Sequence, residues 1–398
     1  MKPSQSAGLG AWIAQRALEG ARDVDVLAGL CERLNDLGMR ITRVAVAGNV
    51  LDPIHDARLL LWKRGEGGTE EAFPRVAVAR DDWQRSPFFA MLQSGAETLR
   101  RRLDTSHARG EFPLIDTMQD QGMTDYVAFR MGSLGDAWAG DNDGMISSWV
   151  TDAPGGFTDG EVELIAGVVP TLALTFMLQT TRQTARTLMT TYLGQDAAER
   201  VLAGNIVRGQ ADSIRAVVWF SDLAGFTRLS EAIGPEGMLA LLNDYAEVQV
   251  ESIETHGGHV LKFIGDAVLA IFRDEGLAAA SVRALDAAVD YRRRLAALSE
   301  RRRAAGLPVV DTHLALHVGE LLYGNVGSPR RLDFTVLGPA VNEAARIEAL
   351  CGSLEQSVVV SSAFADAAVE ARSRLVSLGR YALKGVARPQ EMFTLDET

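Results

Sequence analysis

Apolar side chains recur with helical spacing in several stretches of the chain, and between them lie short runs that alternate or are apolar throughout. The first helical stretch is "VDVLAGLCERLNDLGM", from Val24, and it leads into the strand-like "RITRVAVAG". Further on come "DYVAFRMGS" and "GMISSWVT", read as strands, and then the apolar helix "GEVELIAGVVPTLALTFML". Helix, strands, polar loops, a strand pair and a closing helix predict an α+β unit with helices at its two ends, over residues 1–178. Residues 179–214 are polar and rich in helix formers, and read as a helical connector whose short segment "DAAERVLAG" is closed by Gly204.

Over residues 215–398 the pattern changes. "RAVVWF" is a strand by its β-branched and aromatic content. After "SDLAGFTRLSEAIG" a long amphipathic helix follows, with Leu241, Leu242, Tyr245, Val248 and Ile253 marking its buried side. "HGG" stops that helix and opens a hairpin, "HVLKFI" and "AVLAIF", with Gly265 and Asp266 at the turn. A second long helix, Leu277 to about Ala305, leads to "THLALHVG" and "ELLYGNVG". The β-α-β-β-α-β order is that of a ferredoxin-like or palm domain, α+β, with a mostly antiparallel sheet and two long helices on one face.

Composition narrows the function. The 398 residues are enough for two domains with separate cores. A formal charge of −12 argues against a protein that wraps a nucleic-acid backbone, while a nucleotide held through metal ions stays possible. The two cysteines, Cys31 and Cys351, form neither a disulfide framework nor a zinc motif, which fits a reducing cytoplasm. The longest apolar stretch, Leu164 to Leu178, is shorter than the roughly 20 residues a spanning helix needs, so no membrane span is expected. The element order of the first region, with "GGFTDGEVELI" leading into its last helix, resembles a GAF-type sensory domain.

Chemistry concentrates in the last region. Asp222 follows a hydrophobic strand and precedes a glycine-bearing turn, so the backbone N–H groups from Ala224 through Phe226 to Thr227 are expected to face an anion. Asp266 lies at the tip of the neighbouring hairpin. Two carboxylates on adjacent strand ends beside free amides can hold hard divalent cations and a triphosphate together. Taken singly, Asp222 serves equally well as a helix cap and Asp266 as a turn residue. Asn342 and Arg346 are four apart behind Pro339 and project from one helical face. Alone, Arg346 reads as a surface ion pair with Glu343. Strand alternation would bury Lys262, a costly place for a charge unless its head reaches a partner or ligand.

"FSDLAGFTRLSE", "HGGHVLKFIGDAVLAIF" and "DFTVLGPAVNEAARIEAL" resemble, in order, the three signature blocks of class III nucleotide cyclases. The resemblance covers about Arg215 to the C-terminus. It implies that Asp222 and Asp266, with the Leu223 carbonyl, bind two Mg²⁺ or Mn²⁺ ions per active site. It further implies that Asn342 orients the ribose and that Arg346 stabilises charge on the α-phosphate. Lys262 would read the purine together with the residue seven before Asn342, which is Thr335; Asp333 lies two residues earlier. Lys donates to adenine N1 and Thr accepts from the exocyclic amine, so ATP is the expected substrate. Near the C-terminus Lys384 is the candidate triphosphate contact.

The expectation is thus a cytoplasmic adenylate cyclase that makes 3′,5′-cyclic AMP and pyrophosphate at a homodimer interface. Its N-terminal domain would receive an unidentified small-molecule or protein signal. A cyclase for another nucleotide and an inactive cyclase-like partner are the alternatives. The pairs His256/His259 and His313/His317 lack a convergent third ligand and read as turn chemistry and packing.

Overall fold

The structure, a computed structural model, describes residues 3–75, 81–105, 109–132, 144–273, 276–386 and 388–396. It divides into two compact units, Met1–Leu188 and Met189–Thr398.

In the first unit, helices α1 (Pro3–Leu18) and α2 (Asp23–Asp36) precede strands β1 (Ile41–Asn49), β2 (His55–Lys63) and β3 (Gly67–Pro74). Short helices α3 (Asp81–Gln84) and α4 (Pro87–Ser94) lead to β4 (Thr98–Arg102), and α5 (Pro113–Asp120) leads to β5 (Asp125–Gly132), β6 (Gly144–Thr151) and the long α6 (Asp159–Leu193). The strands form one antiparallel sheet in the order β3-β2-β1-β6-β5-β4. Its middle strands β1, β6 and β5 are largely buried because both faces are covered. Val127 and Phe129 join a core with Leu27, Leu30, Trp149 and Val168, whereas Tyr126 and Ala128 join another with Met91, Ile115 and Met118. Buried Asp125 ties β5 to the turn before α6, accepting from Arg100 Nη2 at 2.8 Å and from the Phe157 N–H at 3.0 Å.

Helix α6 opens with a capping box: the Thr158 N–H donates to Glu161 at 2.7 Å while the Glu161 N–H donates to Thr158 Oγ1 at 3.3 Å. The apolar stretch that seemed too short to span a bilayer is part of this 35-residue helix, which by length and composition alone is long and apolar enough to cross one. Within the unit, its Leu164, Ile165, Val168, Val169, Leu172 and Phe176 lie in the core. Pro170 sits on the exposed face, as does Ala166, whose carbonyl loses its donor to the proline ring, so the helix continues.

The second unit begins with α7 (Gln195–Leu202), β7 (Ala211–Leu223), α8 (Phe226–Thr255), the hairpin β8 (His259–Ile264) and β9 (Ala267–Phe272), and α9 (Leu277–Ala304). It continues with β10 (Thr312–Ser328), β11 (Arg331–Leu337), α10 (Pro339–Glu348), α11 (Cys351–Leu354), β12 (Val358–Ser361), α12 (Ser362–Ala367), β13 (Leu375–Tyr381) and β14 (Gln390–Leu395). The sheet order is β13-β14-β12-β10-β7-β9-β8, with β11 paired to β10 and only β10–β12 parallel. Buried residues of α8 and α9 pack on one face through Tyr245, Ile253, Ala284 and Tyr291 with Trp219 and Phe272. On the other, Ala197 of α7 and Ala340 and Ala344 of α10 pack against Leu261, Leu269 and Phe334. The two runs "THLALHVG" and "ELLYGNVG" are one 17-residue strand, β10.

Candidate active site

Register places the two carboxylates side by side. Strand β7 pairs with β9 so that Ser221 faces Val268, and the next residue on each strand brings Asp222 beside Ala267 and the turn that carries Asp266. That turn has two residues, Gly265 and Asp266, between paired Ile264 and Ala267. Gly265 has φ 66° and Asp266 a negative φ, the sign pattern of a type II′ hairpin turn, which wants glycine first and leaves the second side chain free to point out of the tip.

Asp222 is half-buried and one of its oxygens, Oδ1, is buried with no hydrogen-bond partner. Burial first, then Asp266 and Glu348, push its carboxyl up to about 6, against a smaller stabilisation from the Leu223 N–H. A solvent-starved carboxylate beside a second one lacks positive charge, and hard divalent cations meet that need. Among the described residues no group of three or more His, Cys, Asp or Glu is assembled for a metal, so a cation here would lean on Asp222, Asp266 and backbone oxygen such as that of Leu223.

This charge pattern has a stability consequence. A carboxyl whose folded pKa is raised stabilises nothing when ionised: full stability is present below the unfolded value near about 4, and is lost as pH rises through about 6. Melting temperature in cation-free buffer should therefore fall between about pH 4 and pH 7, and Asp222→Asn should remove that fall. With the shift discounted for the partial exposure of Asp222, the variant should be more stable than the parent at neutral pH by about 1 kcal/mol. Parallel melting profiles for parent and variant across this range would contradict the assignment.

Helix α8 begins directly after this strand end. Gly225 takes a left-handed conformation, φ 72°, and no side chain caps the helix. The Ala224 N–H, expected to face an anion, instead donates to the Asp311 carbonyl at 2.8 Å, because β7 is still paired there. The Phe226 and Thr227 amides, in the first turn, have no intrahelical acceptor, as geometry requires.

Lys262 is not buried as simple alternation would have it. A bulge between Val260 and Lys262 leaves Leu261 unpaired in β8, so Leu261 fills the core while Lys262 stays half-exposed. Its ammonium pairs with Asp333 on β11. Asp333 and Thr335 are two apart on that strand and share a face, Thr335 being buried and Asp333 exposed. The spacing that singled out Thr335 did not identify this ion pair.

On α10, Asn342 is exposed and Arg346 half-buried. Glu343 does not pair with Arg346; it lies 3.6 Å from His317 Nε2 and 3.5 Å from Gln390. Among the described residues the Arg346 guanidinium has no ion-pair or hydrogen-bond partner. It rests on the turn that carries Lys384: a methyl group placed on Gly385 would lie 3.0 Å from Arg346 Nη1. Lys384 itself is exposed. Two residues beyond Arg346, buried Glu348 raises the Asp222 carboxyl and is itself raised by burial and by Asp266. Two residues of an α-helix are about 200° apart, so Arg346 and Glu348 leave α10 on opposite sides. No hydrogen bond or ion pair among the described residues links the carboxylates to Lys262, Thr335, Asn342 or Arg346.

His256, His313 and His317 have local partners. His256 Nδ1 meets the Ser252 carbonyl at 2.9 Å, His317 Nδ1 meets Ser361 Oγ at 2.9 Å, and His313 lies 3.4 Å from Glu348. Sequence reasoning set Asp333 aside in favour of Thr335 and passed over Glu348 and Gly385. Of the latter two, only Glu348 carried a signal there, an acid on the buried side of α10.

Residues 210–397 match the family described as adenylate and guanylate cyclase catalytic domain. Over those residues the C-terminal unit is similar to a cyclase catalytic domain. An adenylate cyclase of Anabaena cylindrica is 37% identical over 150 residues, covering 37% of this chain and 29% of that protein. Adenylate cyclase 1 of Rhizobium meliloti (strain 1021) is 31% identical over 184 residues, covering 42% and 27%. The chain thus matches less than a third of the length of these two curated relatives. The crystal structure of the adenylyl cyclase CyaB from P. aeruginosa is 27% identical, covers 48% of this chain and 97% of that one, and has a TM-score of 0.43. In the C-terminal unit, the strand ends, the hairpin tip and α10 carry the three sequence blocks that resemble the family.

Proposed function

We propose that the chain is an adenylate cyclase that converts ATP to 3′,5′-cyclic AMP and pyrophosphate, with active sites shared between the two subunits of a homodimer. The observation that carries this reading is the pair Asp222 and Asp266 at adjoining strand ends, with one buried carboxylate oxygen unsatisfied, in a domain that matches the cyclase family. Mg²⁺ or Mn²⁺, two ions per site, would be held by Asp222, Asp266 and the Leu223 carbonyl, supplying positive charge to the triphosphate and a lowered pKa to the ribose 3′-hydroxyl.

The chain's own groups do the rest. The ribose 3′-oxygen attacks the α-phosphorus, the bond to the bridging oxygen of pyrophosphate breaks, and charge gathers on the non-bridging oxygens. Arg346 from the partner chain meets that charge with a planar fork of donors already free of any competing carboxylate. Asn342, on the same face of α10, orients the ribose. The Phe226 and Thr227 amides and Lys384 take phosphate oxygens. Lys262 donates to adenine N1 and Thr335 accepts from the exocyclic amine. The N-terminal unit, read as a GAF-like sensory domain in a cytoplasmic protein, sets the rate in response to its signal.

Purified protein with Mn²⁺ should convert ATP to its cyclic product at least about ten-fold faster than GTP, since losing two matched hydrogen bonds in a base pocket costs about 1.4 kcal/mol or more. Lys262→Glu combined with Thr335→Cys should erode that preference. Chromatography of the cyclic products decides it: equal or faster conversion of GTP, CTP or UTP by the parent protein would refute the ATP assignment.

A further inference from the structure

The N-terminal unit contains a cavity of about 450 Å³, within the range of small-molecule sites. One wall is cationic. The register of β1 and β2 sets Arg43 directly opposite Lys63, and both line the cavity beside Arg64. Like charges facing each other across strands destabilise a sheet, and a buried charge without a partner costs more still. Two of these cations are compensated: Lys63 reaches Glu66, also on the cavity wall, at 3.0 Å, and Arg64 pairs with Asp152. Arg43 is not. Among the described residues its guanidinium has no hydrogen bond or ion pair, and Nη1 is buried and unsatisfied. Burial pushes its pKa down, and Tyr126 and Glu71 act on it only through space. Beside it the Tyr126 hydroxyl is buried with no partner at bonding distance, Ser148 lying next to it.

The lining also includes apolar Met118, Met123 and Val150, the last paired directly with Arg43 across β1 and β6. The site therefore offers one cation uncompensated among the described residues, with a planar pair of donors, together with thioether and aliphatic surface. A dianion would find too little free positive charge, because Lys63 and Arg64 already hold carboxylates. A neutral molecule would leave Arg43 unpaired.

We propose that this cavity binds a small organic monocarboxylate, its carboxylate seated on Arg43 opposite Lys63 and its apolar body against Met118, Met123 and Val150. A carboxylate matches a guanidinium with two parallel hydrogen bonds. The inference is independent of the cyclase reading, since every residue involved lies in the N-terminal unit.

The test uses the full chain and calorimetric titration with benzoate, phenylacetate and hexanoate, against benzamide as neutral isostere and inorganic phosphate. At least one monocarboxylate should bind saturably and raise the melting temperature by a few degrees. Benzamide and phosphate should not. Arg43→Gln should weaken carboxylate binding about ten-fold or more, and Lys63→Gln less, because Lys63 already has Glu66. Arg43→Met should abolish binding and raise the melting temperature of the ligand-free chain, since it removes a buried unpaired charge. A merely structural arginine would behave in the opposite way. Saturable binding by none of the three acids, equal binding of benzamide or phosphate, or an Arg43→Met chain that melts below the parent would each overturn the proposal.

Discussion

Arg346→Ala should fold as the parent does and make cyclic product about a thousand-fold more slowly, the range lost when a preorganised donor to transition-state charge is removed. The two halves of that expectation rest on one observation: the guanidinium is half-buried on α10 against the Gly385 turn, with no carboxylate or carbonyl partner among the described residues. Its removal therefore breaks no ion pair, and the melting temperature should move by no more than a surface substitution would move it, within about 0.5 kcal/mol of stability. Because the interaction is made with developing charge, kcat should fall while KM for ATP changes little. Arg346→Lys keeps the charge but loses the planar fork, so its rate should lie between those of the parent and the alanine variant. Steady-state kinetics with Mn²⁺ and a melting curve on the same preparations give both readings. An alanine variant within about ten-fold of the parent rate would remove Arg346 from the transition state.

The strands and helices of the second unit could be read from the sequence where one physical rule acts alone. "RAVVWF" is apolar because β7 lies between two covered faces, and Gly265 marks a tight hairpin because only glycine accepts that φ cheaply. Asn342 and Arg346 share a face by helical arithmetic. Other features depend on contacts distant in sequence. Lys262 meets Asp333, 71 residues away, only because a bulge at Leu261 resets the strand and β11 returns beside it. The Ala224 amide is consumed by Asp311 on the approach to β10, a pairing that the local turn sequence does not encode. In the first unit β3 was missed because its side chains are largely exposed, leaving no apolar alternation to see. β4, "TLRRR", was missed because arginines bound to carboxylates disguise it, Arg100 to Asp125 and Arg101 to Glu111.

Asp222→Ala and Arg346→Ala, each nearly inactive alone, should regain activity when mixed. The reason lies in α10: Arg346 and Glu348 leave the helix on opposite sides, and it is Glu348 whose charge acts on Asp222 within the chain. On the shared-site reading, a site that needs both Asp222 and Arg346 takes them from different chains. In a two-fold dimer the same surface appears twice, so the parent has two equivalent sites. A heterodimer of the two variants has one site with both defects and one with neither. Random exchange of equal amounts makes half the dimers mixed, each with one working site of two, so activity should recover to about a quarter of the parent value. Two affinity tags verify the exchange, and analytical ultracentrifugation verifies the dimer. Co-purification of both tags from a mixture that stays inactive would sink the shared-site model, and substantial turnover by a monomer would do the same from the other side.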